Sequence, residues 1–166
     1  MRLLNCIIYI AAIGLLSHLI GEALPRKWFN AEKKPYAPWK IENGGRLYKT
    51  LRVHKWKDKL PDMSKISPMM VKKSITFSSA SSEAVSKIVT ETCVAEMIHD
   101  ALILCAPGLY LIWPDPIGAV IAVVYALSNI PFIIIQRYNR PTLLKLAERL
   151  KEREERLKNA NSAVVR

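Results

Sequence analysis

Apolar residues are concentrated in three stretches of this chain, at 3–24, 93–113 and 116–136, while polar residues dominate elsewhere. Each stretch has about 20 residues, which at about 1.5 Å per helical residue crosses a hydrocarbon core of about 30 Å. The pattern therefore predicts an all-α integral membrane protein with about three transmembrane helices.

The first stretch, 3–24, has a cleaved signal peptide as its alternative interpretation. The apolar region of a signal peptide is usually shorter, about 7–15 residues, and ends in a cleavage site of small residues. We find no such site before Pro25. We therefore expect this helix to be retained in the membrane.

The second and third stretches are separated by a very short segment that contains Pro114 and is followed by Pro116. Two prolines so close together force a tight turn. The two stretches therefore predict an antiparallel helical hairpin.

The distribution of charge supports the membrane assignment and orients the chain. The 166 residues contain 25 Lys and Arg against 14 Asp and Glu, a formal net charge of +11, yet no cation lies in 3–24 or 90–136. A soluble nucleic-acid-binding protein would not leave such stretches without a cation, so we expect no nucleic-acid partner. The positive-inside rule predicts a multi-pass protein of the cell membrane with the N-terminus outside and the central loop and C-terminus in the cytoplasm.

The cytoplasmic segment 26–90 is expected to lie at the membrane interface. Its cations alternate with aromatic residues such as Trp28, Trp39 and Trp56, and prolines and glycines keep its elements short. Aromatic rings and long cationic stems suit the headgroup region, so anionic lipid head groups are expected partners. The serine-rich run 78–82 offers N-cap residues for a helix that continues into the second span.

The C-terminal region is expected to form a separate amphipathic helix over 142–158. Its leucines share one side, opposite dense mixed charge, and fewer than three clean heptads favour a membrane-surface helix over a coiled coil. We expect the tail, 159–166, to be disordered. The whole chain, 1–166, is then a single membrane domain.

The most informative polar cluster contains four ionisable residues within ten positions. On a helix Glu96, His99 and Asp100 share one face with Thr92, and Glu91 lies beside them. An ionisable group inside a span costs at least about 2.5–3.5 kcal/mol, so it normally faces the bundle interior or a wet cavity. The four ionisable residues are our candidate catalytic residues. The alternative is that Glu96 and His99 only pair with each other or with a neighbouring helix.

The other two spans carry polar residues at the same expected depth. His18 and Asn129 lie about six and seven residues from the cytoplasmic ends of their spans, so that both, like His99, lie roughly 10 Å inside that boundary. Glu22 follows His18 by one turn, and Gln136 ends a helical stripe that contains Tyr125, Asn129 and Phe132. We take these residues of the first and third spans as substrate-binding candidates, although His18 alone could be an interfacial histidine without a role.

The third span ends in the run Gln136-Arg137-Tyr138-Asn139-Arg140-Pro141. Two arginines with amide and phenol donors can hold a phosphate or a carboxylate through charge-assisted hydrogen bonds. We therefore add Arg137, Tyr138, Asn139 and Arg140 to the substrate-binding candidates. The alternative is a basic cluster that only stops transfer through the membrane.

Three elements carry a resemblance to a known family: Glu91-Thr92 with Ala95-Glu96 and His99, the run from Asn129 to Pro141, and the region of Val53, Trp56-Lys57 and Leu60-Pro61-Asp62. From about Trp39 to Leu150 the chain resembles the glycosyl-4,4'-diaponeurosporenoate acyltransferases of staphyloxanthin-type carotenoid biosynthesis. The resemblance implies transfer of a fatty acyl group to the 6-hydroxyl of the glucose in a membrane-embedded glycosyl carotenoid.

Two positions depart from the family pattern. Asp100 stands where the pattern has Trp after the histidine, and Cys93-Val94 replaces a basic pair. These departures bear on the substrate more than on the fold, so we expect the acceptor to be a glycosyl carotenoid or a related glycolipid.

Acyl transfer to an alcohol needs a general base near the attacking hydroxyl and donors for the developing oxyanion. His99 is our candidate base, and Glu96 or Asp100 would hold its tautomer. Asn129, together with His18, would contact the oxyanion or the sugar.

The acyl donor is expected to be a co-substrate, acyl-CoA or another acyl donor, whose phosphates Arg137 and Arg140 would bind. A G-x-S-x-G motif is absent from the sequence, which favours direct transfer over an acyl-enzyme. The three cysteines all lie in predicted spans without a disulfide or metal-binding spacing, so we expect neither a metal nor a bound cofactor.

Two other function classes stay open from the sequence. One is a non-enzymatic membrane subunit or scaffold in envelope or lipid biosynthesis. The other is a lipid-modifying enzyme of another class, such as a methyltransferase, for which the sequence has no cofactor-binding fingerprint. The sequence does not indicate an oligomeric state.

Overall fold

The computed structural model describes residues 1–60 and 81–164, and all regular structure in these ranges is helical. The α-helices are α1 (Arg2–Ala23), α2 (Arg46–Thr50), α3 (Val53–Trp56), α4 (Ser82–Cys105), α5 (Pro107–Ile112) and α6 (Pro116–Val164). Short 3₁₀ helices occupy Arg26–Trp28, Lys40–Gly45 and Lys57–Lys59. The predicted all-α class is confirmed.

Three helical regions are long and apolar enough to cross a membrane: Arg2–Ala23, Ser82–Ile112 and Pro116–Ser162. They contain the three predicted spans except for the last residues of the first two, Leu24 and Trp113. The first ends as expected before Pro25, and the guanidinium group of Arg26 donates hydrogen bonds to the carbonyl groups of Gly21 and Leu24, at 2.6 and 2.8 Å. A cation at this position also suits the negative end of the helix dipole.

The second span is not one uninterrupted helix. α4 ends at Cys105 and α5 begins at Pro107. Proline lacks a backbone N–H, so it is well placed at the first position of a helix but cannot continue the hydrogen bonds of the preceding one. The predicted stretch 93–113 therefore corresponds to the second half of α4 together with α5.

The expected separation between the third span and a C-terminal amphipathic helix is wrong. α6 runs without a break from Pro116 to Val164, through Pro141 and through most of the expected disordered tail. Pro141 removes one helical hydrogen bond, but contacts beyond it hold the helix: Leu150 is buried, and Glu154 accepts hydrogen bonds from Ser82. Residues 165–166 of the tail lie outside the described residues.

The contacts divide the chain into two compact units, and the expected single membrane domain stays a prediction. We call Met1–Asn30 with Cys93–Gln136 the apolar unit, and Ala31–Thr92 with Arg137–Arg166 the basic unit. Each is described by itself below.

The helices of the apolar unit pack in an antiparallel register. The phenol of Tyr9 donates a 2.8 Å hydrogen bond to the carbonyl of Cys105, while further along α1 a side chain at Gly21 would meet Ile98. The two contacts show that α1 and α4 run in opposite directions. The buried side chains of Cys6, Leu109 and Ala122 form the core of this unit with Tyr9 and Tyr125 around them.

The turn between α5 and α6 is fixed by Asp115. Its carboxylate accepts hydrogen bonds from the indole of Trp113 and from the backbone N–H groups of Ile117 and Gly118, and it lies 3.5 Å from Arg2. Desolvation raises the pKa of Asp115, but the bonds from Gly118, Trp113 and Ile117 and the charge of Arg2 outweigh it and hold the pKa below its usual value. The predicted tight turn is therefore a helix cap.

In the basic unit, serine caps α4 as expected. The Ser81 hydroxyl accepts a 3.1 Å hydrogen bond from the N–H of Ala84. Ser82 follows, and its N–H and hydroxyl donate to the carboxylate of Glu154 at 2.8 and 2.6 Å. The other serines of the capping run, Ser78 and Ser79, lie outside the described residues, as does 61–80 of the predicted interfacial segment.

Replacing Gly21 by leucine is expected to destabilise the protein. A side chain at this position would collide with Ile98 and touch Val94 of α4, and overpacking of a close contact costs about 1–3 kcal/mol. Gly14→Leu is the matched control, because no described residue lies within 4 Å of a Cβ placed at Gly14 in the same helix. Thermal unfolding in detergent measures both. Equal melting temperatures for the two variants would contradict the close approach of α1 to α4.

Candidate functional site

Two helices of the apolar unit bring His99 and Asn129 together. Nδ1 of His99 on α4 lies 2.9 Å from Oδ1 of Asn129 on α6. The His99 ring also stacks on Phe132, with ring centroids 4.7 Å apart and planes inclined by 8°. Because Asn129 and Phe132 are separated by one turn of α6, they contact the imidazole from the same side of that helix.

The hydrogen bonds of Asn129 determine which nitrogen of His99 carries the proton. The amide nitrogen of Asn129 donates a 2.9 Å hydrogen bond to the carbonyl of Tyr125, which leaves its oxygen facing His99. The imidazole must therefore donate through Nδ1–H, and its Nε2 keeps a free lone pair. Nε2 has no hydrogen-bond partner among the described residues. An unprotonated ring nitrogen without a protein partner can act as a general base.

The group that orients His99 is an amide, although the sequence reasoning had assigned this task to Glu96 or Asp100. Glu96 precedes His99 by one turn and is 3% exposed, while Asp100 is exposed. Glu91, half-buried, belongs to the basic unit. Catalytic roles for Glu91, Glu96 and Asp100 stay predictions.

The register of the apolar unit places His18 near the level of His99. Since Tyr9 contacts Cys105 and Gly21 lies against Ile98, interpolation between these contacts places residue 18 of α1 near residue 100 of α4. The side chains of His18 and Glu22 make no hydrogen bond or ion pair with a described residue. Their assignment to substrate binding stays a prediction.

Arg137 is buried in the basic unit, only 7% exposed, and most of its donors are engaged. Its Nε donates to Glu42 at 2.8 Å, and one terminal nitrogen lies 2.7 Å from the same carboxylate oxygen. The terminal nitrogens also donate to the carbonyl groups of Pro35 and Ala37 at 3.3 and 3.0 Å. The guanidinium group lies 4.3 Å from the ring centre of Trp39.

Arg140 is buried in the same way, at 2% exposure. It donates to the hydroxyl and the carbonyl of Thr92 at 2.9 and 3.0 Å, and to the carbonyl of Tyr36 at 2.7 Å. Arg140 of α6 thus connects two other parts of the basic unit, the segment near Tyr36 and the part of α4 that contains Thr92. A guanidinium group has five N–H donors, so protein acceptors use most of those on both arginines. Binding of donor phosphates by these arginines stays a prediction.

Tyr48 lies next to Glu42, and Tyr138 contacts the ring of Tyr48. Their rings meet edge to face with centroids 5.9 Å apart, and Lys57 lies 5.5 Å from the centre of the Tyr138 ring. Burial raises the pKa of Tyr48, and the neighbouring Glu42 carboxylate, which accepts a hydrogen bond from the phenol, raises it further. The phenol therefore stays protonated as a donor. Asn139 is half-buried in the same part of α6.

The sequence reasoning missed the partners of the arginines. One signal pointed to Glu42, which is the single carboxylate between Glu32 and Asp58 in a stretch rich in cations. The backbone carbonyl groups of the proline-rich loop carried no such signal, because their direction depends on the folded backbone. Among the described residues, no group of three His, Cys, Asp or Glu side chains is arranged to hold a metal ion.

Comparisons with known proteins agree with one another. A family model described as glycosyl-4,4'-diaponeurosporenoate acyltransferase matches residues 25–149. Relatives of this name from Staphylococcus aureus strains bovine RF122 / ET3-1 and MRSA252 are 31% identical over 153 residues, which cover 91% of both chains. The relative from strain N315 is 30% identical over the same length. No solved structure matches the chain.

Replacing Glu42 by alanine is expected to destabilise the protein by about 3–5 kcal/mol, because it leaves the Arg137 guanidinium group buried without its carboxylate. Glu83→Ala is the control. Glu83 pairs with Lys87 at 3.0 Å, but both side chains are largely exposed, so its loss should change stability little. Thermal unfolding and limited proteolysis in detergent compare the two. A similar fall in melting temperature in both variants would show that the buried ion pair contributes no more to stability than the exposed one.

Proposed function

This chain belongs to the glycosyl-4,4'-diaponeurosporenoate acyltransferase family, and from this premise we propose that it transfers a fatty acyl group onto a sugar hydroxyl of a glycosyl carotenoid held in the membrane. The observation that carries the proposal is the free lone pair on Nε2 of His99, with Asn129 holding the ring in that tautomer. The family name alone does not identify a base.

In the proposed reaction, Nε2 of His99 accepts the proton of the attacking hydroxyl as its oxygen bonds to the carbonyl carbon of a thioester. The tetrahedral intermediate collapses with cleavage of the carbon–sulfur bond. The leaving thiolate takes the proton from His99, which returns to its starting form. Asn129 accepts a hydrogen bond from Nδ1–H in both protonation states, so the ring does not have to turn during the cycle.

The acyl donor in this proposal is acyl-CoA, supplied from the cytoplasm. The charge distribution supports that direction, because the cation-rich segments flank the apolar helices on one side. The N-terminus and the turn at Asp115 then face outward, and anionic lipid head groups meet the basic unit.

A non-enzymatic membrane scaffold is the second candidate. The engaged donors of Arg137 and Arg140 favour it, because those side chains already have structural partners. A scaffold, however, has no need of a histidine fixed in one tautomer with an idle nitrogen. Enzymatic activity therefore accounts for more of the structure.

His99→Ala is expected to lower acyl transfer by at least about 100-fold, the usual contribution of a general base. His54→Ala is the matched control, because His54 is exposed in α3 and should leave activity unchanged. Purified protein is incubated with radiolabelled acyl-CoA and glycosyl carotenoid, and the products are identified by mass spectrometry. Equal product from wild type and His99→Ala would remove His99 from the mechanism, and no product from wild type would favour the scaffold.

The proposed orientation is tested with single cysteines in a Cys105→Ala background, since Cys6 and Cys93 are buried. Pro114→Cys at the turn should react with a membrane-impermeant maleimide in intact cells, whereas Ser162→Cys near the C-terminus should react only after lysis. Both positions are exposed. The reverse labelling pattern would invert the topology and place the basic unit outside.

A further inference from the structure

The side chain of Gln136 has a polar atom that the protein leaves unused. Gln136 is 8% exposed, and its Oε1 is buried without a hydrogen-bond partner among the described residues. Buried carbonyl oxygens almost always accept a hydrogen bond. Burial removes the water that would otherwise bond to the oxygen, so an unpaired buried acceptor costs free energy. An unpaired acceptor of this kind is expected where a ligand supplies the missing donor.

The position of Gln136 on α6 relates it to His99. Asn129, Phe132 and Gln136 are spaced by three and four residues, so they lie on one stripe of the helix. Asn129 and Phe132 both contact His99. Gln136 is one turn beyond Phe132, about 6 Å along the helix axis, so it follows on the same stripe directly after the two residues that contact His99.

From this placement we infer that Oε1 of Gln136 accepts a hydrogen bond from a ring hydroxyl of the acceptor's sugar, other than the hydroxyl that is acylated. The inference rests on the proposed function, in which His99 deprotonates the acylated hydroxyl. Gln136 thereby determines specificity for a sugar headgroup and holds it at the base.

The chemistry of Oε1 selects the kind of partner. A carbonyl oxygen only accepts hydrogen bonds, so its ligand must bring a donor. The phosphate groups, the thioester, the acyl chain and a polyene chain have no donor to offer at neutral pH. A sugar offers several hydroxyls, and the pantetheine arm of acyl-CoA offers amide N–H groups, so the kinetic test below measures both substrates. A site that binds a hydroxyl in this way rejects an analogue without it, because the buried acceptor is left unpaired.

The first test measures stability and binding without catalysis. Wild type, Gln136→Leu and the control Ser128→Leu, an exposed position on the same helix, are placed in phospholipid nanodiscs. Without ligand, Gln136→Leu should unfold at the same or a higher temperature than wild type, because it removes an unpaired acceptor. A fall that exceeds that of Ser128→Leu would show that the amide has a structural partner and would overturn the inference.

The binding probes are hexyl β-glucoside and its 2-, 3- and 4-deoxy analogues. Gln136→Leu should bind the glucoside about tenfold more weakly than wild type. One of the deoxy analogues should bind wild type about tenfold more weakly than the glucoside does. The same analogue and the glucoside should bind Gln136→Leu with equal affinity, because the acceptor for the missing hydroxyl is already absent. Deoxygenation that weakens both proteins equally at every position, or no glucoside binding by wild type, contradicts the inference.

Kinetics with radiolabelled acyl-CoA separate this inference from the proposed function. In Gln136→Leu the KM for the glycosyl acceptor should rise about tenfold, with the KM for acyl-CoA unchanged. A rise in the KM for acyl-CoA instead would assign Gln136 to the donor and overturn the inference. If wild type transfers no acyl group, the proposed function fails, while the deoxy-glucoside binding series still decides whether Gln136 binds a sugar.

Discussion

A charge or polar group that is removed from water must be matched by another group of the protein, and this constraint governs both units of the chain. In the apolar unit, nearly all cations are excluded from the apolar helices. The carboxylate of Asp115 lies in a turn, where backbone N–H groups bond to it. The basic unit satisfies it by compensation. Arg137 and Arg140 are each surrounded by protein acceptors, among them Glu42 and Thr92.

The same constraint separates structural groups from reactive ones. Arg137 looks reactive in the sequence, because arginine next to amide and phenol groups is typical of an anion site, yet its donors are used by Glu42 and by backbone carbonyl groups. His99 looks ambiguous in the sequence, yet its contacts fix one nitrogen and leave the other idle. Unused hydrogen-bonding capacity is therefore a better guide to chemistry here than residue type.

Hydropathy predicted the three spans because the bilayer imposes a length and a composition on each helix independently of its neighbours. It did not predict that α6 continues through Pro141, because that depends on contacts of Leu150 and Glu154, which form only in the folded chain. The equal depth of His99 and Asn129 could be counted from the ends of their spans. The bond between them, and the partnership of Glu42 with Arg137, required helix register and loop direction, which no local pattern encodes.

The departure from the family pattern at Asp100 is best understood from its place in α4. Asp100 follows His99 in the chain, but successive residues of a helix point about 100° apart, and Asp100 is exposed whereas His99 is held against Asn129 and Phe132. A tryptophan or an aspartate at this position therefore changes the outer surface of the helix and leaves the bond that fixes the tautomer of His99 intact. The residue at position 100 and the bond that holds His99 can therefore vary independently of each other.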